Sequence, residues 1–326
     1  MTDVSIIIPV YNVGPYIKQC IESVIAQSCE CTIECIIVDD RGTDNSMSIA
    51  ESIVAAYSGP VKFRIIQREK NGGLSAARNS GINIANGKYL FFLDSDDTIA
   101  DHCIQSLWNC VKKYPDVEIV FGKTICVPDK SARKNYFDTL QKHGQIYCND
   151  LASIRNVILK FPEVAWNKLI KREWLLQNNL LFREGILHED LDWQLRSYHC
   201  THSYACELNE SPTYLYLIRG GSITAERLSP KHVWSTNVIY SDFAKNTKLW
   251  SPEIIHHLCY ELLKYKGLIF ADKDGKTAKS YYNTLLKSIL NNSSLPINYR
   301  LVMLYFKLPK VFISGRLVDK LISVLI

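Results

Sequence analysis

The first 125 residues predict an α/β fold built on a mostly parallel central sheet flanked by helices, and three observations carry that reading. Short continuous runs of β-branched and aromatic residues recur, as in strands covered on both faces. Helical stripes fill the intervals between the runs, and polar clusters stand directly after them.

The elements follow in order. Val4 to Pro9 (VSIIIP) is the first strand, and Ile17, Cys20, Ile21, Val24 and Ile25, spaced i, i+3, i+4, i+7, i+8, mark the helix behind it. Glu34 to Val38 is the second strand, and Asp44 is placed to cap a helix carrying Ile49, Ile53 and Val54. A strand over Val61 to Ile66, a helix over Leu74 to Ala85, a strand over Tyr89 to Leu93, a helix over Ile104 to Tyr114 and a strand over Val117 to Phe121 continue the alternation. Such alternation implies right-handed crossovers. Beyond Pro128 it gives way to a mixed region, with a charged turn from Arg183 to Asp190 and a short strand from Thr213 to Ile218. From about Ser229 the patterns are helical. The sequence holds neither an internal repeat nor a low-complexity segment.

Ligands of such sheets bind beyond the carboxyl ends of the strands, where loops and helix N-termini converge. Tyr11-Asn12, Asp39-Asp40, Asn71-Gly72-Gly73 and Asp94-Ser95-Asp96-Asp97 each follow a predicted strand. The pattern therefore gathers four polar groups on one rim.

Bulk properties narrow the class. With 47% hydrophobic and 22% charged residues the chain is neither disordered nor fibrous, and 326 residues suit one large domain plus a C-terminal extension. Residues 245–326 carry 13 Lys/Arg against five acids, a balance of +8 in a chain whose total is +5. A basic tail on an acidic body fits an anionic partner such as a membrane surface, or simply solvated helix faces. Leu317, Val318, Leu321, Ile322 and Leu325 make an apolar stripe flanked by Arg316 and Lys320. No apolar run there approaches the roughly 20 residues that span a bilayer, so the tail reads either as lying on the membrane or as capping the main domain. The 11 cysteines are an odd number, and Met1 to Ser5 enters a strand without a basic leader region. These features point to a reducing cytoplasm, with Cys29, Cys31 and Cys35 as thiols rather than zinc ligands. No nucleic-acid partner is expected.

Two features carry chemistry. Asp94 and Asp96, at i and i+2 after a buried strand, can face one cavity and bind Mg²⁺ or Mn²⁺, whose remaining positions a substrate diphosphate would fill. A solvated turn or helix cap is the alternative, since D-x-D is common. Arg78 lies in the first turns of the helix opened by Asn71-Gly72-Gly73-Leu74-Ser75, where free N–H groups and the helix dipole favour a phosphate. The alternative there is a capping loop with a surface arginine.

SIIIPVYN (5–12), IIVDDRGTDNS (36–46), NGGLSAARNSGINIANGKYLFFLDSDD (71–97), WNKLIKRE (166–173) and HEDLDW (188–193) together resemble the family 2 glycosyltransferases of bacterial surface-polysaccharide type. The resemblance spans residues 4 to about 225 and implies a GT-A fold with a Rossmann-like sheet. It implies a catalytic domain over 1–225, its nucleotide-sugar half over 1–125 and its acceptor half over 126–225, with 226–326 a helical C-terminal region.

For the donor site, the resemblance implies that Pro9, Tyr11, Asn12 and Asp39 frame the nucleobase and ribose with help from Asp40. It sets Asn71, Gly73 and Arg78 near the diphosphate or base, Asp94 and Ser95 on the ribose or metal, and Asp96 on the metal. Arg219, in Arg219-Gly220-Gly221-Ser222, resembles a loop residue that closes over the diphosphate.

On the acceptor side, it makes Asp190 the general base, with Glu189 orienting it or the acceptor. Trp166 and Trp193 are acceptor contacts or, equally, core, and His188 is an acceptor contact or, more often for a histidine beside charged residues, a local hydrogen-bonding group. The implied reaction is inverting transfer from a nucleotide sugar, UDP by family habit, to a saccharide or lipid-linked saccharide hydroxyl, in the cytoplasm or on the inner face of the plasma membrane.

The sequence departs from the family at Asp39-Asp40-Arg41-Gly42, where the pattern usually reads D-D-G-S. Two rival classes fit the sequence less well. A sugar nucleotidyltransferase needs a Gly-rich, Arg-bearing loop after the first strand, where this chain has Pro9 to Val13. A non-catalytic nucleotide-sugar-binding protein predicts loss of Asp94, Asp96 or Asp190, and all three are present.

Overall fold

In the computed structural model, which describes residues 2–128, 147–151, 153–154, 162–207, 211–219, 230–245, 283 and 286–287, the most apolar runs form the middle of the sheet. β1 (Val4–Val10) and β2 (Ile33–Asp39) are buried at every position and pair in parallel, Val4 against Ile33 and Val10 against Asp39. Runs without polar alternation suit only a position covered on both faces. β3 (Lys62–Gln67) pairs with the far side of β2 and leaves Lys62, Arg64 and Gln67 exposed, as fits an edge. β4 (Tyr89–Phe92) flanks β1 on the other side. Between these strands run α1 (Gly14–Ile25), α2 (Ser46–Ala56) and α3 (Leu74–Ile84). α1 buries Ile17, Cys20, Ile21 and Val24, the stripe visible in the sequence.

β5 (Thr98–Ile99), α4 (Cys103–Lys113), β6 (Ile119–Phe121), β7 (Thr124–Val127), β8 (Tyr147–Cys148), β9 (Lys168–Lys171), α5 (Arg172–Gln177), α6 (Glu189–Ser197), β10 (Tyr204–Cys206), β11 (Tyr214–Leu217) and α7 (Pro230–Lys245) complete the described elements. The large sheet runs β3-β2-β1-β4-β9-β6-β10-β8, and β5-β11-β7 form a small second sheet. β9 enters antiparallel between β4 and β6, so the alternation does not stay parallel. Lys168-Leu169-Ile170-Lys171 is too short and too charged to read as a strand, yet its first three residues are buried.

Two local expectations are corrected. Asp44 stands one residue before the flanking Asn45 of α2; its carboxylate accepts from the N–H groups of Ser46, at 3.0 Å, and Gly14, at 2.8 Å, and so ties the starts of α2 and α1 together. Cys29 and Cys31 are joined to each other across Glu30, so of the three grouped cysteines only Cys35 is a free thiol.

The amino ends of the central strands are locked by a buried polar cluster. Ser5 Oγ donates to Glu34 at 2.6 Å, the Asn86 N–H donates to the same carboxylate at 2.6 Å, and the Gly87 N–H donates to Ser5 Oγ at 2.8 Å. A Cβ at Gly87 would stand 2.5 Å from the Ser5 nitrogen, which requires glycine.

The chain divides into two compact units, Met1–Gly185 with Glu189–Gly220, and Ile186–His188 with Gly221–Ile326. The division near residue 220 stands slightly before the change of pattern expected at 225. Residues 246–282 and 288–326, including the apolar-basic stripe of the tail, lie outside the described residues. Among the described residues no helix is long and apolar enough to cross a membrane.

Candidate active site

The carboxyl ends of β1, β2 and β4 carry the polar loops, and side chains of one loop hold the backbone of the next. Asn12, at φ +51°, accepts from the Thr43 N–H through Oδ1 at 2.7 Å. Asp39 uses both carboxylate oxygens, for the Arg41 N–H at 2.8 Å and for Gln67 Nε2 at 2.9 Å, its neighbour in the β2–β3 register. Asp40 is buried, paired with Arg68, and accepts from the Gly72 and Gly73 N–H groups at 3.0 and 2.8 Å, while Asn71 Nδ2 donates to its carbonyl at 3.0 Å. The N–H groups expected to meet a phosphate before α3 are therefore held by a carboxylate from the neighbouring loop. Pro9 lies inside β1 opposite Val38, whereas Tyr11 is half exposed.

Arg78 is where the structure departs most from a surface phosphate reader. It is 2% exposed on α3, and its two terminal nitrogens donate to Asp94 and Glu189, each at 2.7 Å. The guanidinium also lies 5.2 Å over the Phe182 ring. Burial alone would lower its pKa, but the carboxylates of Asp94 and Glu189 outweigh that and raise it, so the group stays charged. One buried cation thus joins the loop after β4 to the first residue of α6, Asp94 and Glu189 being 95 positions apart in sequence.

Asp190 follows Glu189 on α6 and is half-buried, with Oδ1 accepting from the Leu191 N–H at 2.9 Å. Burial raises its pKa, Glu189 raises it further, and Arg78 opposes both. The result is a carboxyl group held above the ordinary carboxylate range, the direction that suits a base working near neutral pH.

The other flank of the loop is fixed from β11. Tyr214 is fully buried; its hydroxyl donates to Asp97 at 2.8 Å and accepts from the Asp94 N–H at 3.3 Å. The Leu217 N–H donates to the second Asp97 oxygen at 2.7 Å. Two residues on, Arg219 Nε donates to Asp96 at 2.7 Å, with its guanidinium 5.0 Å over the Tyr16 ring. Asp97 is pushed up to about 8, by burial first and then by Asp94 and Asp96. Sequence reading gave Asp97 no role of its own, because the i, i+2 pair beside it explained the run.

These residues fit a divalent cation. Asp94 Oδ2 and Asp96 Oδ1 have no protein partner among the described residues, and both side chains are about a quarter exposed, at 24% and 22%. Among the described residues no three His, Cys, Asp or Glu side chains gather to enclose an ion. Two carboxylates and an open side are what Mg²⁺ or Mn²⁺ takes when substrate oxygens supply the rest. Ser95 is buried between them.

The remaining predicted residues divide. Trp166 is 5% exposed and stacked between neighbours, 4.3 Å from Tyr214 and 5.5 Å from Tyr216 by ring centroid. Trp193 is 3% exposed, donates through its indole N–H to the Leu180 carbonyl at 2.7 Å, and packs on Phe182 and Trp174. Of the two readings of these indoles, the structure gives core. His188, at φ +61°, shares a 2.8 Å hydrogen bond with His232 within the second unit. Lys168, the lysine of the W-N-K motif, and Glu163, three residues before that motif, are linked electrostatically to Asp190, and nothing in the sequence pattern marks them for that role.

The comparisons with known proteins agree on the class. The model of "Glycosyl transferase family 2" matches residues 5–175. Glycosyltransferase GlyG of Streptococcus pneumoniae is 30% identical over 230 residues, covering 68% of this chain and 72% of that protein. Uncharacterized glycosyltransferase YibD of Escherichia coli is 24% identical over 328 residues, covering 93% of this chain and 92% of that protein. The crystal structure of Staphylococcus aureus TarS 1–349 in complex with UDP-GlcNAc superposes with a TM-score of 0.72 at 19% identity, over 99% of this chain and 90% of that one. At that identity the likeness speaks for the fold, which is GT-A. With more than half its length inside the family model, and the carboxylates of the third and fifth motifs held by one arginine, this chain belongs to glycosyltransferase family 2.

Proposed function

We propose that this glycosyltransferase moves a sugar from a UDP-sugar to an acceptor hydroxyl with inversion at the anomeric carbon. The observation that carries the reading is Arg78, whose two hydrogen bonds draw the Asp94 loop and the start of α6 to one guanidinium. A donor diphosphate at Asp94 and Asp96 then lies within one site of a carboxylate at Asp190. UDP is taken from TarS, which is solved with UDP-GlcNAc.

The residues act as follows. Tyr11 and Asp39 flank the nucleobase and ribose, and Arg219, delivered by β11, screens the diphosphate. Asp94 and Asp96 hold a divalent cation, which when bound supplies charge neutralisation for the departing diphosphate. Asp190 accepts the acceptor's hydroxyl proton as that oxygen bonds to the anomeric carbon, and the bond to the diphosphate breaks with its electron pair leaving on phosphate. A base on the face away from the leaving group gives inversion in one displacement. Glu189, fixed by Arg78, orients the start of α6. The acceptor is a saccharide or lipid-linked saccharide of surface-polymer assembly, presented at an anionic membrane surface to which the basic tail binds.

A panel of nucleotide sugars with Mn²⁺, read by nucleoside diphosphate release with and without saccharide acceptors, tests the reading. Acceptor-stimulated release from one UDP-sugar, abolished by chelation, is expected. Tight UDP-sugar binding with no release for any acceptor would instead make the chain a binding protein.

A further inference from the structure

The end of β4 away from the Asp94 loop opens into a second cavity of about 510 Å³, within the roughly 300–1,000 Å³ of sites that enclose a small molecule. Its walls are fixed parts of the fold. Tyr89 begins β4 and pairs with Lys171 at the end of β9, and the Arg172 N–H donates to the Lys88 carbonyl at 2.9 Å, which holds Lys88, Lys171 and Arg172 side by side. α4 supplies Trp108 and Lys112 to the same cavity. The turn into β4 that also lines it, Asn86-Gly87, is the one locked by Ser5 and Glu34.

Charge sets this cavity apart from an ordinary surface hollow. Lys88, Lys112, Lys171 and Arg172 line it with a single carboxylate, Glu173, which accepts from Gln177 of its own helix at 3.0 Å. The three lysines pair with Asp3 at 3.4 Å, Glu30 at 2.7 Å and Asp116 at 3.9 Å, acids that do not line the cavity, in contacts exposed enough to be weak. Arg172 has no ion pair and no side-chain hydrogen bond among the described residues, and its Nε is buried without an acceptor. The second property is an aromatic wall. Trp108 is half-buried and meets the Tyr89 ring edge-on, at 6.2 Å and 85°, while the Tyr89 hydroxyl donates to the Val117 carbonyl at 2.8 Å. No acceptor meets the Trp108 indole N–H among the described residues.

Cations alone suit any anion, and an indole face alone suits any sugar. Together they suit a sugar bearing a phosphate or carboxylate, its charge on the guanidinium fork and ammonium groups and its C–H face on the ring. A membrane surface fits less well, because none of the large apolar side chains exposed among the described residues lines the cavity. We propose that this cavity is a second saccharide site, separate from the donor site, which binds an anionic sugar through Arg172 and Lys88 and stacks it on Trp108. It takes no part in the transfer step, so it stands or falls apart from the roles given to Asp94, Asp96 and Asp190.

The indole ¹⁵N–¹H resonance of Trp108, one of six tryptophans and identified by its loss in Trp108→Phe, reports on the cavity directly. Titration with glucose 6-phosphate or digalacturonate, without metal, is expected to shift it saturably, whereas uncharged maltose leaves it in place. In Arg172→Gln the Kd rises about tenfold, and in Lys88→Gln, whose side chain is 58% exposed, it rises severalfold with an unchanged melting temperature. Should Arg172→Gln fail to fold, Lys88→Gln carries the test alone. Excess UDP leaves the titrations unchanged, since the proposed donor site lies at the other end of β4. Four results overturn the proposal: no shift with either charged sugar, equal affinity for maltose or for inorganic phosphate, competition by UDP at Trp108, or affinities unmoved in every folded variant.

Discussion

Arg41 holds a left-handed backbone, φ +62°, at the position where the family pattern usually reads glycine. Its exposed side chain makes no compensating contact that the structure shows. A non-glycine residue in that region costs on the order of 1 kcal/mol, partly offset in a glycine variant by greater freedom of the unfolded chain. Denaturant midpoints are therefore expected in the order Arg41→Gly, wild type, Arg41→Val, with the β-branched variant about 2 kcal/mol below the wild type; a valine variant as stable as wild type contradicts the strain. At Arg78 the balance is electrostatic. Arg78→Met leaves Asp94 and Glu189 without their shared cation and is expected to lose about 3–5 kcal/mol in chemical denaturation. These two positions also show what sequence conveys. The motif placed Arg78 on the right helix, but a periodic pattern does not say whether an arginine at the second turn faces water or a carboxylate 111 residues away, as Glu189 is. Burial is decided by the partner strand and helix, not by the local pattern.

At the scale of elements, the loop after β4 is set by β11 as much as by its own sequence. Tyr214 bonds both ends of that loop, and the Leu217 N–H holds Asp97, so Arg219 arrives at Asp96 already oriented. Tyr214→Phe removes one neutral and one carboxylate hydrogen bond and is expected to cost about 1–3 kcal/mol of stability. UDP affinity should weaken severalfold through Arg219, and calorimetry that finds unchanged affinity would detach β11 from the site. β1, β2 and β4 were legible as uniformly apolar runs and α1 as a clean helical stripe, while β3 showed through its β-branched and aromatic residues among exposed polar ones. β9 was not, since four residues with a lysine at each end carry no period. The way Asp40 holds the loop before α3 was hidden for a related reason: its partners, Gly72 and Gly73, come from a loop 32 and 33 residues on, and the β2–β3 register brings the two loops together.

At the scale of the molecule, a negative body and a basic tail are joined in one chain, and the sequence balance of +8 over residues 245–326 is the tail's clearest property. Deleting residues 295–326 is expected to release the protein from phosphatidylserine vesicles at low salt, with co-sedimentation unchanged by the deletion as the contrary result. Separate stretches of chain bring Asp94 and Glu189 to one guanidinium, and the proposed metal ligand Asp96 and proposed base Asp190 stand beside them in sequence. The most direct measurement of this catalytic account compares Asp190→Asn with the wild type in UDP-sugar affinity and in acceptor-dependent turnover. The account predicts affinity within about twofold and turnover lower by about 10²–10⁴-fold; turnover at the wild-type level would contradict it.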